Sequence, residues 1–191
     1  TSYYYKTDIR DTFDTMGIQY DAFQFDFEKD DIEKLNQYFD GIDTSRYDFC
    51  FSVNYFPEIS KNCNRRNLKY LSWGYDCPFN VINIEETLGN PCNYVFCFDG
   101  QQARGYIEKG FDTVYHLPLG VNVKRYQSIK VNEQDKQRFR ADVAFVGSLY
   151  EGEYAPIAEI LDEYSKGYIE GVINSQRQLY GAYILNDVID S

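Results

Sequence analysis

Hydrophobic positions change period several times along the chain. Ile9, Phe13 and Met16 fall at helical spacing and Gly17 follows as a stop, so residues 8–16 predict a helix. Ile18 to Phe27 alternates instead, through Ile18, Tyr20, Ala22 or Phe23, Phe25 and Phe27, and predicts a strand. Residues 29–39 return to helical spacing through Ile32, Leu35 and Phe39. Tyr47–Val53 reads as a dense aromatic strand, and the segment after Pro57 as a helix with proline in its first turn. Leu68–Trp73 predicts a short strand ending at Gly74, and residues 77–93 a loop with one helical turn. Tyr94–Phe98 is a buried strand, 101–109 a helix ended by Gly110, and Thr113–Leu117 a strand ended by Pro118. Residues 124–141 are polar and read as loop plus one helix, and Asp142–Leu149 as a last strand. From Tyr154 onward the pattern is helical, with a break expected near Gly167 and Gly171.

Strands that alternate with helices predict an α/β, Rossmann-like fold: a mostly parallel sheet with helices on both faces, plus a C-terminal helical segment. Continuous apolar strands suit a sheet covered on both sides. Such a fold opens with an apolar strand before its first helix. Thr1–Lys6 is rich in Tyr but short. Either it serves as a weak first strand or that strand has been cut away.

Composition narrows the function classes. The chain has 191 residues, 43% hydrophobic and 18% aromatic, enough for one sizeable core. A net charge of −11 opposes general nucleic-acid binding and attachment to anionic membranes, though local donors can still hold a diphosphate. The five cysteines, Cys50, Cys63, Cys77, Cys92 and Cys97, make no C-x-x-C pair, and there is one His. Their pattern predicts reduced thiols in a cytoplasmic protein and no metal site. No apolar run has the length of a transmembrane helix.

In open parallel sheets, ligands bind outside the carboxyl ends of the strands. Those ends carry Asn54, then Trp73, Gly74, Tyr75 and Asp76, then Asp99, His116, and Gly147 with Ser148. The edge is polar and aromatic, as a sugar or base site requires. Each residue has a structural alternative. Trp73 is equally well a core anchor, and Asp76 before Cys77-Pro78 a turn former. Asp99 before Gly100 reads first as a helix N-cap. His116 is the one imidazole able to act as a base near neutral pH, but a lone His at a strand end is more often structural.

Four blocks share their order and spacing with one family: Leu71-Ser-Trp-Gly-Tyr-Asp-Cys-Pro78, Asn93-Tyr-Val-Phe-Cys-Phe-Asp99, Val114-Tyr-His-Leu-Pro-Leu-Gly-Val-Asn122, and Asp142-Val-Ala-Phe-Val-Gly-Ser-Leu149. Across nearly its whole length the chain resembles the CgeB-like glycosyltransferases, which are similar to a spore-maturation protein. The resemblance implies a glycosyltransferase-B architecture of two Rossmann-like domains. Residues 1–141 would be the N-terminal, acceptor-side domain. Residues 142–191 would open a truncated second domain or pack back on the first. The intact protein would transfer a sugar from a nucleotide-sugar donor to an acceptor hydroxyl, with no bound cofactor or metal. Its partners would be a sugar or glycan acceptor and the missing C-terminal donor domain, and the isolated piece would be inactive, with a homodimer possible through an exposed apolar face. The implied catalytic residues are His116 and Asp76; the substrate-binding set is Asn54, Trp73, Tyr75, Asp76, Asp99, Gly120, Asn122 and Gly147. The alternative is a non-catalytic binding module in a spore-coat or cell-surface assembly protein.

Overall fold

A computed structural model describes residues 3–25, 32–147, 152, 154–179, 181, 184 and 188. The chain forms two compact units, Thr1–Ile129 and Lys130–Ser191.

The first unit is α/β. Its elements run α1 (Tyr3–Met16), α2 (Ile32–Gly41), a 3-10 turn (Thr44–Arg46), β1 (Phe49–Val53), α3 (Pro57–Arg65), β2 (Lys69–Gly74), α4 (Glu85–Leu88), β3 (Asn93–Cys97), α5 (Gly100–Glu108), β4 (Val114–His116) and α6 (Val123–Ser128). The four strands form one sheet in the order β1-β2-β3-β4, and every pair is parallel. This is the Rossmann-like pattern, with helices crossing between successive strands.

Register sorts the strand residues by face. Cys50 and Ser52 stand beside Tyr70 and Ser72, and Tyr70, Ser72 and Gly74 beside Asn93, Val95 and Cys97. This face meets α2, α3, α4 and α5, and it carries the core of Leu35, Phe39, Tyr55, Cys63, Tyr70, Leu88, Val95, Cys97 and Ala103. The opposite face carries Phe51, Leu71, Trp73, Tyr94, Phe96 and Tyr115. α1 lies over part of it, with Phe13 edge-on to Phe51 at 5.7 Å between ring centroids. The rest is an aromatic surface, half-buried at Leu71, Trp73, Tyr94 and Phe96 and 40% exposed at Tyr115.

The core is more polar than the apolar strand pattern suggests, and its polar groups are nearly all paired. Asn93, at the start of β3, is buried. Its Nδ2 donates to the carbonyls of Thr87 and Leu88 and to the Tyr55 hydroxyl, and its Oδ1 accepts from Ser60 Oγ at 2.8 Å. One side chain thereby ties β3 to α3 and α4. Tyr70 in β2 shares its hydroxyl with Ser52 Oγ at 2.6 Å and accepts from Phe56 N at 3.1 Å. Asn93 and Tyr70 are tolerated in the core because they are paired, whereas Ser72 Oγ has no partner among the described residues.

Several expectations are corrected. Residues 18–25 are irregular, not a strand; Asp26 and Phe27 lie outside the described residues, as do residues 29–31 of the second helix. Tyr3–Lys6 belongs to α1 and is not a first strand, and Thr1 and Ser2 lie outside the described residues. Residues 124–141 hold two helices, not one: the last part of α6, and α7 (Glu133–Phe139), the first helix of the second unit. α7 is closed by a reciprocal capping box between Asn132 and Asp135. Residues 142–147 are irregular rather than a strand, and Ser148 and Leu149 lie outside the described residues. The second unit continues with α8 (Tyr154–Ile160) and α9 (Glu163–Gln178). α9 runs unbroken through Gly167 and Gly171. The break falls earlier, where Asp162 accepts from Ser165 N at 2.8 Å and caps a new helix. Among the described residues, no helix is long and apolar enough to cross a membrane.

Asn93→Ala deletes five hydrogen bonds and takes away the acceptor of the buried Ser60 hydroxyl, so it should destabilise the first unit by about 3 kcal/mol. Urea unfolding followed by the fluorescence of Trp73, the chain's single tryptophan, reads that unit directly.

Candidate functional site

Parallel strands place all their carboxyl ends on one edge. Asn54, just beyond β1, adopts a left-handed backbone with φ of 64°. Asn tolerates this conformation better than most residues because its short amide bonds locally. Its Oδ1 accepts from the backbone N–H of Tyr75 at 2.7 Å and of Asp76 at 3.2 Å, and its Nδ2 donates to Asp76 Oδ2 at 2.6 Å. Asn54 therefore clamps the turn that follows β2 and orients the Asp76 carboxylate. Asp76 Oδ1 has no hydrogen-bond partner among the described residues.

The turn continues through a cis peptide at Cys77–Pro78. Gly74 is required at its start, because a Cβ there would meet the Phe79 ring at 2.6 Å and the Phe96 carbonyl oxygen at 3.0 Å. Cys77 is an exposed thiol beside Asp99, and its pKa is raised, chiefly by partial burial and further by the Asp99 charge. Cys97, beneath them at the end of β3, is pushed up to about 12 by burial and by Cys77 and Asp99. All five cysteines are free thiols.

Asp99 is the N-cap of α5, accepting from Gln102 N at 2.7 Å. His116, the last residue of β4, lies against the first residue of α5, its ring 3.5 Å from a Cβ built on Gly100. Its Nε2 is 3.2 Å from the Phe98 carbonyl oxygen. With Nε2–H donating there, Nδ1 carries the free lone pair.

The remaining candidates separate from this row. Trp73 points to the open sheet face, T-shaped against Tyr75 at 6.5 Å between centroids. Its Nε1 is buried and has no hydrogen-bond partner among the described residues. Tyr75 is 46% exposed. Gly120 is exposed, with open space around it. Asn122 is committed at both ends of its amide, capping α6 through Arg125 N at 3.0 Å and donating to Asp8 Oδ1 at 2.9 Å. Asp8 also pairs with Arg125 Nη1 at 3.1 Å. Gly147 belongs to the second unit.

The first unit also has clefts away from this row of residues. One, of about 290 Å3, lies on the open sheet face between Asp48, Phe49, Lys69, Leu71, Tyr94 and Phe96. The other, of about 810 Å3, lies between α1 and the start of α6 and sets Asp11 and Asp14 among Lys124 and Arg125. Sequence reasoning named Asn122 but missed both clefts, because neither follows from the position of a strand end.

No family model matches the chain, and no match was found among curated proteins or solved structures.

Asn54→Gly removes the clamp but keeps the left-handed backbone, whereas Asn54→Ala removes the clamp and adds backbone strain. The alanine variant should be the less stable of the two by about 1 kcal/mol. Thermal melts of both variants, followed at Trp73, check the difference.

Proposed function

We propose that this chain supplies the acceptor-side domain of a glycosyltransferase that moves a sugar from a nucleotide-sugar donor to an acceptor hydroxyl. One observation carries the reading: Asn54 and Asp76 form an oriented, open carboxylate at the carboxyl edge of a Rossmann-like parallel sheet, beside exposed Tyr75 and in a row with Cys77, Asp99 and His116. That edge is where open parallel sheets take ligands. A carboxylate with one oxygen free can accept a hydrogen bond from a sugar hydroxyl and hold it toward the donor carbon. Asp76, fixed through Oδ2, would do this. His116, with a lone pair on Nδ1, would be the second base. The face of Trp73 and the ring of Tyr75 offer stacking surface to a pyranose. The donor would be held by a second domain, and the free thiols suit a cytoplasmic location.

A second reading is a non-catalytic binding module on the same scaffold. It is favoured by the structural engagement of Asp99 and Asn122, both of which cap helices. The two readings separate in saturation-transfer NMR of the 191-residue chain against nucleotide-sugars and candidate acceptor glycans. The glycosyltransferase reading expects acceptor binding that Asp76→Asn weakens about tenfold, the value of one charge-assisted hydrogen bond. It also expects loss of sugar signal in a folded Trp73→Ala variant. Silence toward every sugar from a folded sample would overturn it in favour of the module.

A further inference from the structure

We propose that the free edge of β1 seats one further strand, running parallel to β1 and leading directly into α1. The inference rests on the hand of the crossovers and does not depend on the sugar-transfer reading.

A right-handed β–α–β crossover places its helix on one face when the sheet grows in one direction, and on the other face when it grows the opposite way. From β1 to β4 the sheet grows one way, and α3, α4 and α5 lie on the face of Tyr70, Val95 and Cys97. α2 lies on that same face. Its Leu35 and Phe39 enter the same core, and Asn36 Oδ1 accepts from Asn62 Nδ2 of α3 at 2.9 Å. α2 follows residues 18–25 and precedes β1, so its position assigns residues 18–25 to the free side of β1.

α1 lies on the opposite face. Its Phe13 packs on Phe51, which register places with Leu71 and away from Tyr70. The strand feeding α1 must then be followed, after α1, by a strand further from β1. Residues 18–25, though unpaired, stand in the chain where that later strand would fall, so the strand feeding α1 belongs between them and β1.

Three observations agree. The groups of Asn54 point toward β2, with its N–H 2.8 Å from the Trp73 carbonyl oxygen, so alternation aims those of Phe49, Phe51 and Val53 at the free edge. Residues 18–25 alternate in polarity as a strand does, yet take part in no strand pairing. They are nevertheless held on the side of β1: the Tyr47 hydroxyl donates to Asp21 Oδ2 at 2.5 Å, Phe23 stacks on Tyr38 at 3.7 Å, and Tyr20 meets Phe13. The occupant is an extended, β-branched apolar strand as long as the five residues of β1, because both of its faces would be covered. Once it is seated, residues 18–25 pair along its far side. The order of strands then reverses beside Asn54, and such a reversal is where parallel sheets open their ligand crevice.

Amide hydrogen exchange tests this on the full chain, alone and extended ahead of Thr1 by a Val- and Ile-rich strand of about seven residues. A Gly/Ser extension of equal length is the control. In the chain alone, the amides of Phe49, Phe51 and Val53 should exchange quickly while those of Cys50, Ser52 and Asn54 are protected. The apolar extension should slow the first three about 100-fold and also protect residues 19–24, and the control should not. If the extended chain does not stay soluble, the same peptide is added separately with a nitroxide at its N-terminus. Parallel seating then broadens the Phe49 amide more than that of Val53. Slow exchange of Phe49, Phe51 and Val53 in the chain alone overturns the proposal. So does a soluble apolar extension that leaves them fast, or a peptide that broadens Val53 at least as strongly as Phe49.

Discussion

A parallel strand can follow its neighbour only through a crossover, and the crossover has one hand. That constraint organises the first unit. It places α3, α4 and α5 over one face of β1–β4 and brings the carboxyl ends of all four strands to a single edge. It also gives meaning to α1, which alone among the described helices of this unit reaches the opposite face at Phe51. The site and the free strand edge are two consequences of the same geometry.

A buried polar hub runs through the apolar core of this arrangement. Asn93 joins β3 to α3 and α4, and Tyr70 joins β2 to β1 and to the backbone at Phe56. Such groups are costly to bury unpaired, so they specify one packing among many apolar alternatives. The same device recurs at the carboxyl edge, where the Asn54 side-chain amide makes three hydrogen bonds to the turn. The result is a carboxylate of fixed direction on a rigid strand end, which is the property a binding or transfer site needs.

The four strands were legible because each is a short aromatic or β-branched run bounded by Gly, Pro, Asn or Asp. Pro57, Gly17, Gly110 and Asp99 marked helix ends correctly because each carries a backbone reason: a fixed φ, a left-handed φ or a capping oxygen. Residues 18–25 misled because alternation reports what a segment would bury, and pairing also needs a neighbour. Gly167 and Gly171 misled because a helix can absorb their cost when a cap such as Asp162 fixes its start. The strand-end rule placed Asn54, Asp76, Asp99 and His116 at the carboxyl edge, where the strands do end. It could not tell that Asn54 positions Asp76, since the clamp joins residues far apart in the chain; the one local signal was an Asn just beyond a strand, where left-handed backbone is tolerated. It also could not tell that Asn122 is spent on Asp8 and a helix cap.

The central claim is that this edge, rather than the aromatic open face, receives the sugar acceptor. Mapping backbone amide shifts during titration with the acceptor glycans tests it most directly. Shifts clustered at Asn54, Tyr75, Asp76, Gly100 and His116 are the predicted result. Shifts confined to the cleft around Asp48, Lys69 and Tyr94 would contradict it.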